Sequence, residues 1–457
     1  MKADFFIAEI GSTTTVVSAV NKIKEGGAVL LGQGQAPTTV HSEEGVTEGL
    51  NNAVKDLRAS LGAACISCSE MLATSSAAGG LRMTVHGLVR DMTLRSAREA
   101  ALGAGANLHM CSAGVLTKFD LEEIEEINPN LILLAGGTDY GERETTLTNA
   151  ELLCGLSIRP PVIYAGNVAN QRRIGSILRA SGFNCHIVDN VYPGLDELNV
   201  EPARKVIHQV FEENITKAPG MQNVRSMVSG AILPTPGAVM EGAQLLYRHI
   251  GDLLVIDVGG ATTDIHSVTE GSDEISALMI NPEPMAKRTV EGDLGVYVNA
   301  KNLAAQVGEQ ELNRETGLDV SLVLQNYKPI PENEEQLKLA QALSRHAASI
   351  ALKRHAGRLN YTYGASGRKA YAQGKDLTGV KWLIGTGGAL SRMPGHREIL
   401  EELCGLGANE LLLLPKPAAV KALADKDYIM AAAGVLSKKY PEAALALLEK
   451  SLGIGDL

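Results

Sequence analysis

The sequence predicts an α/β protein of two duplicated lobes with mixed sheets, carrying an inserted small parallel α/β subdomain. Three observations predict it. The first is an internal repeat: FFIAEIGSTTTVVSAV at residues 5–20 returns about 250 residues later as LLVIDVGGATTDIHSV at 253–268. Each copy runs apolar strand, carboxylate, one residue, glycine, hydroxyl-rich turn and second strand. The second is the β-β-β-α-β order of the opening residues, which seeds a mixed sheet. The third is a strand–helix alternation in the middle of the chain, the mark of a parallel unit.

The elements follow in order. Residues 4–10 are an apolar run ending at Gly11, and 14–20 and 28–33 are rich in β-branched or apolar residues, so all three read as strands. GSTTT turns the first into the second, and 21–27 is a hairpin turn. An amphipathic helix follows at 45–61 and a strand at 70–75. The charged stretch 122–126 reads as a solvated helix face. Short apolar strands at 131–135, 162–165 and 186–188 alternate with helices at 144–156 and 170–181. Strands at 253–257 and 264–268 repeat the opening. The last third is mostly helical, at 336–359, 398–406 and 425–439, with strands at 381–384 and 410–414. The expected division is a first lobe at 1–120, the inserted subdomain at 121–225 and a connecting helix at 226–250. A second lobe at 251–420 and C-terminal helices at 421–457 complete it.

Composition excludes several classes. The 457 residues exceed one hydrophobic core. At 45% hydrophobic and 21% charged, the chain is an ordinary globular one and not a disordered one. Forty-two basic against 52 acidic residues leave a net charge of −10 without a basic stripe, a poor match to nucleic acid. No apolar run of about eighteen residues appears, and the N-terminus is interrupted too early for a secretory signal, so no membrane association is expected. Six cysteines are too dilute for a disulfide scaffold, and a reduced, cytoplasmic setting is expected. The 48 glycines against 17 aromatics point to close backbone approaches in ligand-binding loops.

The repeated turns carry the chemistry. Gly11, and Gly259 with Gly260, let the chain leave a strand and point several backbone N–H groups into one loop. Ser12, Thr13 and Thr14 in the first turn, and Thr262 and Thr263 after Ala261 in the second, add hydroxyl donors. Glu9 and Asp257 repel phosphate, so they make sense with Mg²⁺ between, usually through water. A third loop, IGTGGALSR at 384–392, follows a strand and opens a helix. Its Gly387–Gly388 pair lets a flat ring or a phosphate lie against the backbone. Cys65-Ile-Ser-Cys68 has a redox spacing but lacks aromatic neighbours and a following helix, so it reads as small buried thiols. The ten histidines show no i, i+4 pair. The Gly136-Gly137-Thr138-Asp139 turn either cradles a ligand or simply ends a strand.

This set of loops resembles the actin, sugar-kinase and heat-shock-chaperone ATPase superfamily. The resemblance implies a duplicated two-lobed actin-like ATPase fold clamping ATP and Mg²⁺. Residues 9–14 look like its first phosphate loop, 257–264 its second, and Gly385, Thr386, Gly387 and Gly388 its adenosine loop. The small-residue segment 228–243 looks like the helix joining the lobes. One departure is Glu9, where the family carries aspartate.

A narrower resemblance covers essentially the whole chain. AEIGSTTT, LLAGGTDYG, YAGN, DVGGATTD, EGDLGV with Glu291, and IGTGGALSR are similar to the glutamate-mutase-associated MutL family, which is unrelated to the mismatch-repair protein of the same name. That resemblance implies an ATP-dependent chaperone or reactivating factor for an adenosylcobalamin-dependent mutase, with mutase subunits and ATP/ADP as partners. Asp257 is expected as main metal anchor, Glu9 as secondary, and Asp264 as the group orienting the attacking water. A small-molecule kinase and a non-hydrolysing nucleotide sensor stay open as alternatives, and the oligomeric state is open too.

Overall fold

The computed structural model describes residues 1–455 except 26, 41, 77–80, 104–105, 196, 216–218, 281, 365–366 and 409–410. It forms two compact units. One comprises Met1–Ala77 and Ser226–Leu457 and holds both lobes; the other is Ala78–Arg225.

In the first lobe β1 (Lys2–Ile10), β2 (Thr14–Asn21) and β3 (Val29–Pro37) form an antiparallel meander. The helix Val46–Ser60 crosses over to β4 (Ser67–Ser75), which lies parallel to β1. Gly34 packs where a Cβ would come within 2.1 Å of the helix backbone at Ala53 and Leu57, so glycine is needed for the helix to lie flat on the sheet.

The Ala78–Arg225 unit is a fully parallel five-stranded sheet. Its strands are β5 (Arg82–Gly87), β6 (Asn107–Ala113), β7 (Leu131–Leu134), β8 (Val162–Tyr164) and β9 (Cys185–Ile187), in the order β6-β5-β7-β8-β9. The three short strands read from the sequence are its β7 to β9. Residues 78–120, expected with the first lobe, instead supply β5 and β6, because β5 pairs with both β6 and β7. The apolar LILL of β7 is wholly buried, as a central parallel strand must be.

The connecting helix expected at 226–250 begins only at Thr235, because Leu233–Pro234 is taken up as β10 beside β4; it runs to Ile250 and leads to the second lobe. There β11 (Leu253–Val258), β12 (Thr263–Val268) and β13 (Ala286–Glu291) repeat the meander. β14 (Arg358–Gly364) and β15 (Gly367–Gln373) form a separate hairpin. β16 (Trp382–Thr386) and β17 (Lys421–Ala424) add in parallel beside β11. The two sheets, β3-β2-β1-β4-β10 and β13-β12-β11-β16-β17, therefore share one topology.

Three expectations in the last third are corrected. Residues 411–414 form no strand: Leu412 makes one isolated bridge to Arg358, and residue 410 lies outside the described residues. Leu413 and Leu414 are buried as core-packed loop, and β17, beyond Pro415 and Pro417, takes the place beside β16. The helix expected at 425–439 starts only at Met430, because Tyr428 adopts a left-handed φ of 49°. The helix expected to reach residue 359 ends at His355, where β14 soon begins.

The core explains how the lobes are joined. Alternate residues of β11 enter two different cores. Leu254, Ile256 and Val258 meet the helix Glu334–His355, whereas Leu253 and Val255 join a core shared with Phe5 and Ile7 of β1. That shared core is closed by the helices Thr235–Ile250 and Met430–Ser437. They cross at small residues: a Cβ on Gly434 would fall 1.7 Å from the Ala238 carbonyl oxygen.

Candidate nucleotide site

Strand alternation puts the two carboxylates on one face. Phe5, Ile7 and Glu9 share a face of β1, and Leu253, Val255 and Asp257 share a face of β11, since successive side chains point to opposite sides. Both faces look onto the shared core, so Glu9 and Asp257 emerge at its rim, each half-buried at the carboxyl end of its strand.

The turns after them are built alike. The Gly11 N–H donates to the Thr14 carbonyl at 3.0 Å, and the Gly259 N–H donates to the Thr262 carbonyl at 2.9 Å. Thr13 and Gly260 bring the two turns together: a Cβ on Gly260 would stand 2.9 Å from Thr13 Oγ1. The third loop closes in from the side. Gly387 has a φ of 83°, and a Cβ there would collide with the Val258 carbonyl at 2.4 Å and Asp257 Oδ1 at 2.5 Å. Only glycine fits that position, and the loop thereby leans on the second carboxylate.

Several expected donors are spent on the scaffold. Ser12 donates to the Ser76 carbonyl at 2.8 Å, and Thr263 is buried and donates to the Leu294 carbonyl at 2.8 Å. Thr386 is turned inward to Asp425 at 2.8 Å, and Gly385 packs under Leu400. Glu291 accepts from Arg354 at 2.6 Å, an ion pair that Asp293 shares. The half-buried residues Gly11, Thr13, Thr14, Gly259, Gly260, Ala261 and Thr262, and the exposed Gly388, remain accessible.

The electrostatics are those of a carboxylate-rich cleft. Burial pushes Glu9 up to about 7, with the Tyr428 hydrogen bond opposing and Asp425 adding. Asp257 is raised well above the usual range by burial, then by Asp264, Glu9 and Asp425. Asp264 is also raised by burial, against the pull of Arg288. It is 3% exposed, 3.6 Å from the Arg288 guanidinium, and its Oδ1 has no hydrogen-bond partner among the described residues. No cluster of three metal-ligating side chains occurs among the described residues. Glu9 and Asp257, close enough at the rim that Glu9 adds to the burial raising Asp257, are a donor set that fits Mg²⁺, an ion that takes one or two carboxylates together with phosphate oxygens and water.

Four residues that sequence reasoning left unassigned belong to this site. Tyr428 Oη donates to Glu9 Oε1 at 2.6 Å. Arg392 lies over the Tyr428 ring at 5.0 Å, Asp425 caps the start of the Met430–Ser437 helix, and Arg288 sits beneath Asp264. Arg392 closes the quoted IGTGGALSR motif, which was the one available signal. Elsewhere, Cys65 is exposed and Cys68 half-buried, against the buried thiols expected, because only the second half of β4 enters the core. The Gly136–Asp139 turn is braced from within: Asn190 donates to the Gly137 carbonyl and to Asp139 at 3.0 Å.

Two sheets of one topology, with matched glycine turns that meet, define the duplicated two-lobed fold of the actin-like ATPases. The sequence matches the MutL protein family over residues 5–452, and the chain belongs to that family. It is 37% identical over 464 residues to Protein MutL of Clostridium tetanomorphum, covering 98% of this chain and 99% of that one. Among solved structures it is similar to a nucleotide-free diol dehydratase-reactivating factor at 12% identity, covering 95% of this chain and 99% of the other, with a TM-score of 0.37. It is also similar to component A of (R)-2-hydroxyglutaryl-CoA dehydratase from Acidaminococcus fermentans, at 10% identity, 98% of both chains and a TM-score of 0.32. No helix among the described residues is long and apolar enough to cross a membrane.

Proposed function

We propose that the protein binds ATP with Mg²⁺ in the cleft between its lobes and uses its hydrolysis to reactivate an adenosylcobalamin-dependent mutase such as glutamate mutase, in the cytoplasm. The observation that carries the nucleotide site is the meeting of Thr13 with Gly260 while Gly387 lies on Asp257. Backbone N–H groups within the 11–14 and 259–262 turns, other than those of Gly11 and Gly259, cradle the phosphates, and the Thr13, Thr14 and Thr262 hydroxyls add donors. When bound, Mg²⁺ supplies positive charge that neutralises the phosphate oxygens. Asp257 would hold it, with Glu9 as a second, longer arm. Asp264, fixed from beneath by Arg288, orients water through its free oxygen. The Gly387–Gly388 loop takes the flat face of the base.

The mutase assignment rests on family membership, and the Ala78–Arg225 unit supports a docking role. Its described exposed large hydrophobic side chains all lie on connections leaving the carboxyl ends of its strands. Val89 follows β5, Val115 and Phe119 follow β6, Tyr140 follows β7, Val168 follows β8, and Leu195 and Leu198 follow β9. Such a rim suits an apolar protein surface.

ATP turnover measured alone, with small alcohols and with purified glutamate mutase separates the readings. Stimulation by the mutase, abolished in Asp257→Asn, is the expected result. A phosphorylated alcohol would establish a kinase, and binding without turnover in all three mixtures a sensor.

A further inference from the structure

Tyr428 follows β17 of the second sheet and Glu9 lies on β1 of the first, yet their side chains meet at 2.6 Å across 419 residues of sequence. The tyrosine is held there by its surroundings. Its φ of 49° is a left-handed conformation that a bulky side chain rarely adopts. Asp425 keeps it so: its carboxylate accepts the N–H groups of Ile429 and Met430 and the hydroxyls of Thr386 and Ser451, while its carbonyl accepts the Tyr428 N–H. From above, Arg392 covers the ring and donates to Gln35 at 2.5 Å and Gln33 at 2.7 Å, both on β3 of the first lobe. Gln33 in turn donates to the Tyr428 carbonyl at 3.4 Å.

The contact also accounts for the glutamate at position 9. An aspartate would be shorter by roughly one C–C bond, about 1.5 Å, and would leave the phenol beyond hydrogen-bond reach. We propose that Tyr428 is a latch between the two sheets, whose hydroxyl holds Glu9 and is released when a metal-bound nucleotide engages that carboxylate. This rests on the nucleotide-cleft reading and adds its regulation. Arriving Mg²⁺ and tyrosine compete for one carboxylate, so the Tyr428–Glu9 tie is released only by a ligand carrying the metal. A nucleotide that enters without metal leaves the latch closed.

The test removes one oxygen. Tyr428→Phe keeps the ring beneath Arg392 and deletes the bond to Glu9. In the nucleotide-free protein, amide hydrogen exchange at the 11–14 turn should rise several-fold over wild type. Mg·ADP should bind about tenfold tighter by calorimetric titration, since the Tyr428–Glu9 hydrogen bond no longer has to be broken. ADP without Mg²⁺ should bind as in wild type. Glu9→Asp should reproduce the exchange result, and the double variant should exchange no faster than either single one. Unchanged Mg·ADP affinity in a folded Tyr428→Phe protein, or additive effects in the double variant, would overturn the latch. If wild type binds no nucleotide, the ATPase reading fails, and exchange alone decides: a wild-type pattern in Tyr428→Phe overturns the latch too.

Discussion

His86 shows how one buried side chain ties stability to pH. It lies on β5, fully buried, with Nδ1 at 2.8 Å from Ser112 Oγ and Nε2 at 3.0 Å from Thr84 Oγ1. Burial pushes its pKa down to about 4, with Asp120 opposing weakly. The folded state therefore favours the neutral ring, whereas the unfolded chain takes up a proton near pH 6.5. The stabilisation is complete above that pH and is lost as pH falls from about 6.5 to about 4, by about 3 kcal/mol in all. Urea titrations read by hydrogen exchange in β5 should show this slope, and His86→Asn should flatten it. An equally steep slope in His86→Asn would place the proton uptake elsewhere.

The two crossing helices carry the next constraint. Thr235–Ile250 and Met430–Ser437 touch where Gly434 lies against the Ala238 carbonyl, and Gly242 lies 3.0 Å (from its would-be Cβ) from the Met430 carbonyl. Gly434→Ala must push the helices apart, because a methyl at 1.7 Å from an oxygen has no room. Overpacking of this kind costs about 1–3 kcal/mol, and a backbone obstacle puts this site at the upper end. Thermal unfolding should register that loss, together with weaker nucleotide binding, since the helix Met430–Ser437 starts two residues after Tyr428. Gly230→Ala, where nothing lies within 4 Å, is the matched control and should leave both nearly unchanged. Equal stability of the two variants would show that the helices slide freely at the crossing.

For the molecule as a whole, the division of labour between the units is the testable claim. The cleft residues all lie in the unit of Met1–Ala77 and Ser226–Leu457, and the apolar rim lies in Ala78–Arg225. Phe119 and Tyr140 are the largest exposed side chains of that rim, 79% and 77% accessible. Replacing both with serine should leave basal ATP turnover as it is and lower mutase-stimulated turnover about tenfold, the loss expected for removing aromatic anchors. Undiminished stimulation would move the docking surface off this rim.

The duplicated strands and their turns were legible because their determinants are local. Period-two alternation carries Phe5 and Ile7 to Glu9 and Leu253 and Val255 to Asp257, and small residues mark each turn. The same locality misled where two outcomes share a pattern. Leu413 and Leu414 are buried as strand residues would be, but the ladder position beside β16 went to β17. Nor did spacing show that residues 78–120 supply β5 and β6, since pairing with β7 is decided between segments far apart. Tyr428 and Arg288 carry no sequence signal at all: a lone tyrosine and a lone arginine acquire their roles only from what packs against them. The sequence by itself determined the repeat, the glycine turns and the faces from which the carboxylates emerge, all set by backbone periodicity and turn chemistry. Only the tertiary structure decided which carboxylate is tied, by which tyrosine, and which hydroxyls stay free, because those are contacts between residues that the chain brings together only on folding.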